Sequence, residues 1–192
     1  MVIDRARAER AVHEFLLALG RDPDREPDLR GTPERVVAAY ASELLTGYDV
    51  DVEALLADGQ AIAPGQHSGL VALTGIAVST VCPHHLLLSH GTASVVYRPG
   101  ASLFGLGTLS KLVGAFARRL SLQESIGESV VQALVEHGGA AAAYCELRLV
   151  HGCLVSRGAR EAHSELSTTA RRGDLSAAEL ALLLGRRVEA VP

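Results

Sequence analysis

The chain has 192 residues, enough for one domain with a hydrophobic core and too few to assume two. Aromatic residues make up only 4% of the sequence and tryptophan is absent, so the core must be built mainly from leucine, valine and alanine. The net charge of -4 gives no general electrostatic reason to bind nucleic acid or an anionic membrane surface. We therefore expect any recognition of an anion to be local.

The composition also bears on the compartment. The N-terminal MVIDRARAER lacks the basic-then-apolar order of a secretory signal, and no apolar run reaches the ~18 residues that cross a bilayer. The three cysteines are Cys82, Cys145 and Cys153, an odd number that does not make a disulfide framework. We expect a soluble cytoplasmic protein whose thiols stay reduced.

Two helices are predicted in the N-terminal part of the chain. Apolar residues recur at helical spacing over residues 5–19, which indicates an amphipathic helix. After a polar linker, a second helix is expected with Thr32 as its cap, Pro33 at its first position and Gly47 at its exit. Residues 58–70 are expected to form a loop.

Strands and further helices are predicted from residue 71 onward. The next 28 residues or so are rich in β-branched and small apolar side chains, and Ser89-His90-Gly91 suggests a turn or bulge between them. Two helices follow, one marked by apolar residues from Leu109 to Leu120 and one from Ile126 to Gly138.

The C-terminal part adds a strand and a helix. Residues 144–149 alternate between polar and apolar, as a half-buried strand does. Ser176 followed by Glu179 is a capping box that predicts a last short helix. This order of elements favours an α+β fold over a doubly wound sheet.

The stretch VCPHHLLL combines a cysteine and two histidines within four positions. Zinc prefers thiolate and imidazole ligands, and Cys82 and His85 can reach one ion from a turn. Cys145 and Cys153 are both candidates for the third ligand, because their even separation puts them on one face of a regular strand. Cys153 is favoured because it lies near the strand end beside His151, whereas Cys145 is expected to belong to the apolar core.

The motif has a plain structural explanation as well. A single buried cysteine is usually a small hydrophobic residue, and a single histidine is more often hydrogen-bonded in the core than bound to a metal. On its own, C-x-H-H therefore does not establish a zinc site, and further motifs are needed.

Further motifs follow one another along the chain. They are DPDREPDLRGTPERV near the N-terminus, Cys82-Pro83-His84-His85, Gly105-Leu106, Gln123-Glu124, and His151 with Cys153, Arg157 and Gly158. In this order they resemble the GTP cyclohydrolase I family, whose patterns include C-E-H-H, a Q-E pair and H-x-C-x-x-x-R-G. The resemblance runs from about residue 8 to residue 185.

The resemblance implies a tunnelling fold, with an antiparallel sheet and packed helices that assemble into a ring-shaped homo-oligomer. The implied ring is a decamer with active sites at subunit interfaces. Within one structural domain, residues 1–65 would form an N-terminal helical region and residues 66–192 the catalytic region. The implied reaction is the zinc-dependent opening of a guanine-type imidazole ring at C8, which converts GTP to 7,8-dihydroneopterin triphosphate and formate.

The resemblance also implies a role for each matching residue. The zinc ligands would be Cys82, His85 and Cys153. The catalytic residues would be His84, which transfers a proton at the imidazole, and His151, which assists near the opened ring. The residues that bind a purine nucleotide would be Leu106, Lys111, Gln123, Glu124 and Arg157. Without the resemblance, Glu124 would be interpreted as a solvated residue at a helix start.

The chain departs from the family in two motifs. Pro83 replaces the glutamate of C-E-H-H, which removes a carboxylate and a backbone N–H near the metal. The family's G-L-S-K-x-x-R, whose serine, lysine and arginine face the triphosphate, has Gly107, Thr108 and Lys111 at those positions. A charge-assisted contact contributes ~1.5–3 kcal/mol, so the loss weakens triphosphate binding by roughly ten- to a hundredfold.

Three functions remain open at this point. The first is GTP ring opening with replacement phosphate contacts from Arg118, Arg119, Arg171 or Arg172. The second is a divergent enzyme acting on a guanine derivative with fewer or no phosphates. The third is a non-catalytic ring that binds a purine or pterin and regulates a partner. Retention of all the ligands argues against the third, and we favour the first because it is the family's commonest activity.

Overall fold

The computed structural model describes residues 2–63, 66 and 69–185. Within them the helices are α1 (Arg5–Ala18), α2 (Thr32–Ala39), α3 (Val52–Ala57), α4 (Leu106–Ala117), α5 (Gln123–Glu136), α6 (Gly152–Val155) and α7 (Ala177–Leu183). The strands are β1 (Gln60–Ala61), β2 (Val71–Val81), β3 (Leu88–Arg98), β4 (Ser102–Leu103), β5 (Ala142–His151) and β6 (Leu166–Arg172). Short 3-10 helices lie at Pro27–Leu29 and Thr46–Asp49, and a π-helical turn at Tyr40–Leu44.

The N-terminal helices follow the sequence prediction with two differences. The second helix was expected to end at Gly47, but α2 ends at Ala39, a π-helical turn continues to Leu44, and Gly47 lies in the 3-10 helix Thr46–Asp49. The prediction of a first helix over residues 5–19 is confirmed by α1. The expected cap at Thr32 is wrong, because Gly31 is the cap, with φ of 74°, and Thr32 is already helical. Glycine reaches this left-handed conformation without steric cost. Within the expected loop over residues 58–70, β1 pairs with β4, and residues 64, 65, 67 and 68 lie outside the described residues.

The main sheet has the order β2-β3-β5-β6 and is antiparallel throughout. The turn or bulge expected at residues 89–91 is wrong, because these residues lie inside β3 and pair with both β2 and β5. Position 91 requires glycine for another reason: a Cβ there would collide with the carbonyl oxygen of Arg148. The irregularity lies in β2 instead, between Leu73 and Ile76, where Gly75 has φ of 71°.

The strand predicted as half-buried is buried on both faces over most of its length. In β5 the run 142–147 is buried, and Arg148 is the exposed member of the predicted polar set. The prediction failed because β5 is an interior strand of the sheet, with helix α5 packed on one face and a second apolar cluster on the other. Neither α3 nor β6 was predicted from the sequence, β6 because LSTTARR is polar and most of its side chains are exposed.

The main core lies between the sheet and helices α4 and α5, and Cys145 is fully buried in it, as expected. Burial raises the pKa of the Cys145 thiol to about 12, so it stays protonated. The opposite face is covered by Leu175 and residues of α7, whose predicted capping box between Ser176 and Glu179 is present. The expected α+β fold, an antiparallel sheet with packed helices, is confirmed. Among the described residues, no helix has the length and apolar character that crossing a membrane requires.

The pairing of the strands brings three strand ends to one edge of the sheet. Residue 81, at the end of β2, pairs with residue 88, at the start of β3. Ser89 in turn pairs with His151, the last residue of β5. Residues that directly follow β2 and β5 therefore meet at this edge, although about 70 residues of sequence separate them.

Candidate metal centre

Three side chains from two separate segments converge at this edge. Cys82 directly follows β2, His85 lies in the turn between β2 and β3, and Cys153 lies in α6, directly after β5. Their ligand atoms all lie within 4.8 Å of one another. The expectation that Cys153 lies on the strand face is wrong: β5 ends at His151, and a helical turn carries the thiol to the site.

The donor set and its spacing fit a zinc ion. The Sγ of Cys82 lies 3.8 Å from the Nδ1 of His85. A tetrahedral site with Zn–S of about 2.3 Å and Zn–N of about 2.0 Å places its sulfur and nitrogen ligands roughly 3.5 Å apart. Two cysteines and one histidine would leave the fourth position of a tetrahedral ion open, which is the arrangement of catalytic zinc sites.

The surroundings of Cys153 favour its thiol over its thiolate. Burial and the neighbouring Cys82 thiol raise the pKa of Cys153, and the guanidinium of Arg157 acts in the opposite direction. Coordination to a divalent cation reverses this preference, because a coordinating thiol is deprotonated. Arg157, one of the expected substrate-binding residues, therefore lies close enough to Cys153 to influence its charge.

The loop that carries Cys82 and His85 is closed by its own backbone. The amide of Cys82 donates to the carbonyl of Leu87, and the amide of Leu86 donates to the carbonyl of Cys82, both at 2.9 Å. Leu86 has φ of 55°, a left-handed conformation that is unfavourable for leucine. The hydroxyl of Tyr40, in the N-terminal helical region, donates to the Leu86 carbonyl at 2.7 Å. A residue 46 positions away thus holds the strained residue next to the candidate metal ligand His85.

A hydrogen-bonded group of three side chains lies beside the metal centre. The Nδ1 of His151 is 3.0 Å from the hydroxyl of Ser89, and its Nε2 is 2.8 Å from the Oε1 of Gln123. The Nε2 of Gln123 donates to the carbonyls of Leu147 and Leu166, at 3.0 and 2.9 Å. Gln123 and Ser89 are buried, with exposed fractions of 2% and 0%.

The two remaining residues expected at the reaction centre are exposed and near it. The rings of His84 and His85 meet edge to face, with their centroids 6.2 Å apart. Glu124 lies in the first turn of α5. Burial lowers the pKa of His151, and the Glu124 carboxylate raises it, so the two side chains interact electrostatically.

The expected substrate-binding residues of α4 lie elsewhere in the subunit. Leu106 is exposed at the start of α4. Lys111 and Arg118 line a cavity of about 610 Å³ between α4 and β2, whose described lining includes none of the three candidate metal ligands. Of the other arginines considered as phosphate contacts, Arg119 donates to the carbonyls of Gly47 and Ala115. Arg172 pairs with Glu136, and Arg171 is an exposed residue of β6. Of these four arginines, Arg118 is the one that lines the cavity with Lys111.

Two residues of the site were missed by sequence reasoning. Ser89 was assigned to a turn, and Tyr40 carried no signal beyond its place in a helix. Both act through long-range contacts. Ser89 contacts His151 at the end of β5, and Tyr40 contacts the loop that carries Cys82 and His85. Recognising Ser89 would have required the β3–β5 register, which no local pattern in the sequence gives.

The fold and the donor set define the class: an α+β protein with a three-residue candidate metal centre at the edge of an antiparallel sheet. The chain belongs to the GTP cyclohydrolase I family, whose sequence model matches residues 8–181. This confirms the family expected from the motifs.

Proteins with high similarity carry the same family name. Proteins named GTP cyclohydrolase 1 from Leifsonia xyli subsp. xyli, Corynebacterium aurimucosum and Mycobacterium ulcerans are 39%, 38% and 37% identical to this chain. The alignments cover 95%, 88% and 88% of this chain and 96%, 85% and 83% of the relatives. Among solved structures, the archaeosine synthase QueF-Like in its apo form matches 58% of the chain, at 16% identity and a TM-score of 0.46.

Proposed function

We propose that the chain is a GTP cyclohydrolase that opens the imidazole ring of GTP at C8 and releases formate, giving 7,8-dihydroneopterin triphosphate. The observation that carries this proposal is the convergence of Cys82, His85 and Cys153, with His151 hydrogen-bonded two residues from Cys153. Family membership and the names of the relatives support it.

In this proposal Cys82, His85 and Cys153 hold one zinc ion. When bound, zinc supplies Lewis-acid chemistry that makes water a competent nucleophile at neutral pH. His84 gives a proton to N7 of the purine, which makes C8 electrophilic, and an imidazole titrates in the range this task needs. Water adds to C8, the C8–N9 bond breaks, and a second hydrolysis at the C8–N7 bond releases C8 as formate and frees the N7 amine. The sugar on N9 then rearranges to a 2-ketose, and the N7 amine condenses with that ketone with loss of one water, which closes the dihydropterin ring. His151 assists near the opened ring.

Glu124 is the residue proposed to recognise guanine. A carboxylate can accept two N–H donors from the guanine edge, an arrangement that adenine cannot satisfy. Its exposed position in the first turn of α5 leaves the oxygens accessible. The role proposed for Gln123 changes, because its amide is buried and bonded to His151 and two backbone carbonyls. We assign Gln123 to holding His151 and leave the guanine edge to Glu124.

Arg157 and Lys111 are proposed to contact the phosphates, with Leu106 packing against the substrate. Because the cavity that contains Lys111 does not include the metal ligands, we propose that Lys111 serves the metal centre of a neighbouring subunit. This agrees with the ring-shaped homo-oligomer, a decamer with interfacial active sites, that the sequence resemblance implied. A reducing compartment such as the cytoplasm would keep the cysteine ligands as thiols.

Sharing of sites can be tested by mixing two inactive variants. Cys153→Ser removes the metal function and Lys111→Ala the proposed phosphate contact. If each site combines residues from two subunits, dissociating and reassembling the mixed variants restores part of the activity. The control is the reassembly of each variant alone. If verified mixed oligomers regain no activity, sharing between subunits is ruled out: either Lys111 serves the metal centre of its own subunit, or Lys111 does not belong to the site.

A second candidate function is the opening of a guanine ring that carries fewer phosphates. The observation that favours it is the pair Gly107 and Thr108, which offers no charged side chain at the start of α4. Losing a charge-assisted contact weakens triphosphate binding by roughly ten- to a hundredfold.

One experiment separates these functions. The zinc-loaded protein is incubated in parallel with GTP, GMP, guanosine and guanine, and formate release and product mass are followed. We expect formate from GTP and a product with the mass of dihydroneopterin triphosphate. Formate from a less phosphorylated substrate alone would favour the second function. Turnover that is unchanged in Glu124→Ala would contradict the assignment of the guanine contact, with Glu128→Ala, one turn along α5, as the control variant.

A further inference from the structure

The side chain of Arg119, just after the end of α4, is held in place by four contacts. Its Nε donates to the backbone carbonyls of Gly47 and Ala115, at 3.2 and 2.6 Å. The central carbon of its guanidinium lies 5.5 Å from the ring centroid of Tyr48 and 4.9 Å from that of Phe116. Because these contacts already order the guanidinium, binding a ligand to it costs little further side-chain entropy.

Arg119 carries a charge that no described carboxylate balances. Among the described residues, no carboxylate forms an ion pair with this guanidinium, and its Nη groups have no hydrogen-bond partner. The residue is half-buried, and an unpaired charge that is partly removed from water is unfavourable. The free N–H donors of the Nη groups form a fork that matches the oxygens of phosphate and carboxylate groups. The ordered guanidinium is therefore suited to bind an anion.

Arg119 lines a cavity of about 430 Å³ between α4, α5 and the start of α3. A cavity of this size is within the range of small-molecule sites. Besides Arg119, its described polar lining consists of Asp51, Ser129, Gln132 and His137, and apolar side chains form the rest. The Oδ1 of Asp51 already accepts a backbone amide of α3, and the amide of Gln132 already donates to a neighbouring carboxylate. Arg119, Ser129 and His137 are the lining groups left to bind a ligand.

We propose that this cavity binds a phosphate group, either as the free ion or on a small organic molecule, with Arg119 as the main contact. A phosphate group has more acceptor oxygens than a carboxylate, and the cavity offers donors from two sides, Arg119 after α4 and Ser129 and His137 on α5 and its end. The apolar part of the lining can contact an organic group. The site goes beyond the proposed function, because its described lining contains none of the candidate metal ligands and none of the residues proposed to bind GTP.

The proposed site is connected to the start of α5. The ring of Tyr48 packs against the guanidinium of Arg119, and the Tyr48 hydroxyl accepts a hydrogen bond from the amide of Leu120 at 3.3 Å. Three residues after Leu120, α5 begins with Gln123 and Glu124. A ligand that binds only the native arrangement stabilises it by mass action. Phosphate bound to Arg119 therefore stabilises the segment that leads into Glu124, the residue proposed to contact guanine.

The first measurement is the binding of inorganic phosphate to the zinc-loaded protein by isothermal titration calorimetry. Ser129→Asp adds a carboxylate to the cavity without removing a contact that holds Arg119, and should raise the Kd for phosphate by roughly tenfold or more. Ser167→Asp, the same change at an exposed residue of β6, is the matched control and should keep the Kd of the wild type. Lys111→Ala should keep it as well, because Lys111 lines a different cavity.

Two results of this titration would overturn the proposal. One is a wild type that does not bind phosphate. The other is phosphate binding that Lys111→Ala removes and Ser129→Asp leaves unchanged, since the ion would then occupy the cavity of Lys111. If Ser129→Asp fails to fold, His137→Asp carries the same charge into the cavity from an exposed position.

The same titration with ribose 5-phosphate and with acetate identifies the chemistry of the ligand. Tighter binding of ribose 5-phosphate than of phosphate would support an organic phosphate that contacts the apolar lining. An equal Kd for the two would support the free ion. Acetate that binds as tightly as phosphate would contradict the assignment of a phosphate group.

Hydrogen exchange of the Leu120 amide tests the connection to α5. Phosphate should slow this exchange in the wild type and leave it unchanged in Ser129→Asp. An exchange rate that phosphate does not alter, in a wild type that binds it, would refute the connection. None of these measurements requires turnover of GTP, so their outcome is independent of the proposed reaction.

Discussion

The hydrogen bond between Tyr40 and the carbonyl of Leu86 gives a sharp prediction about zinc affinity. It joins the N-terminal helical region to the loop that carries Cys82 and His85, through a residue whose φ is 55°. A left-handed conformation costs a leucine about 1–2 kcal/mol, so the loop has a tendency to relax away from its ligand-holding shape. Tyr40→Phe removes the hydroxyl that opposes this relaxation and keeps the ring.

The expected effect can be estimated from the bond that is lost. A hydrogen bond of this kind contributes about 0.5–1.5 kcal/mol net, which corresponds to a Kd for zinc raised roughly two- to thirteenfold. Burial raises the pKa of the Tyr40 hydroxyl, so it stays a protonated donor at neutral pH. The loss is therefore not masked by titration.

Zinc affinity is measured by competition with a chromogenic chelator at fixed pH, together with unfolding in urea. The matched control is Tyr48→Phe. The hydroxyl that this change removes accepts a hydrogen bond from the amide of Leu120 and does not contact the loop that carries Cys82 and His85. We expect the control to bind zinc like the wild type. If Tyr40→Phe binds zinc with unchanged affinity, the N-terminal region does not support the metal loop and the reasoning is wrong.

Other predictions concern the ligands, the phosphate contacts and the pH dependence of stability. Cys153→Ser should abolish stoichiometric zinc by metal analysis, whereas Cys145→Ser should keep zinc and lose about 1–3 kcal/mol of stability in urea, because it buries a hydroxyl in the core. Thr108→Lys combined with Lys111→Arg should lower KM for GTP, and an unchanged KM would contradict the phosphate argument. Hydrogen bonds lower the pKa of Glu179 to about 2, so its stabilising effect is complete above its ordinary value near 4.5 and is lost as pH falls toward 2. Glu179→Gln should therefore weaken the loss of stability between pH 4.5 and 2, measured by thermal unfolding.

Local patterns predicted the helices well and the sheet less well. Helices were predicted from residues close together in the sequence. These are the periodic apolar residues of α1, α4 and α5 and the capping box of α7. Strand β6 depends instead on a distant partner, because its polar sequence is held in a strand by backbone pairing with β5. The glycine at position 91 was misinterpreted for the same reason: the close approach that requires it comes from β5, more than 50 residues away.

The sequence could bring Cys82, His85 and Cys153 together as candidate metal ligands because spaced motifs single them out without knowledge of the fold, and their ligand atoms lie within 4.8 Å of one another. The position of Cys153 in a helical turn could not be predicted, because no local pattern shows that β5 ends at His151 and that α6 begins directly after it. The role of Gln123 depends on a further distant contact, with the carbonyl of Leu166 on β6. A strand that the sequence did not predict thus fixes the orientation of a residue that it did.

The hydrogen-bonded position of His151 is therefore a consequence of the sheet as a whole. The carbonyl of Leu147 belongs to β5, the carbonyl of Leu166 to β6, and the Ser89 hydroxyl to β3. A one-residue slip in the pairing of any of these strands would reverse which side chains face the site. The same antiparallel register brings the loop after β2 to the end of β5, so the positions of the candidate metal ligands and of the adjacent histidine share one structural cause. Substitutions that loosen β6 should consequently disturb His151 before they disturb Cys82 and His85, whose loop is closed by its own backbone and by Tyr40.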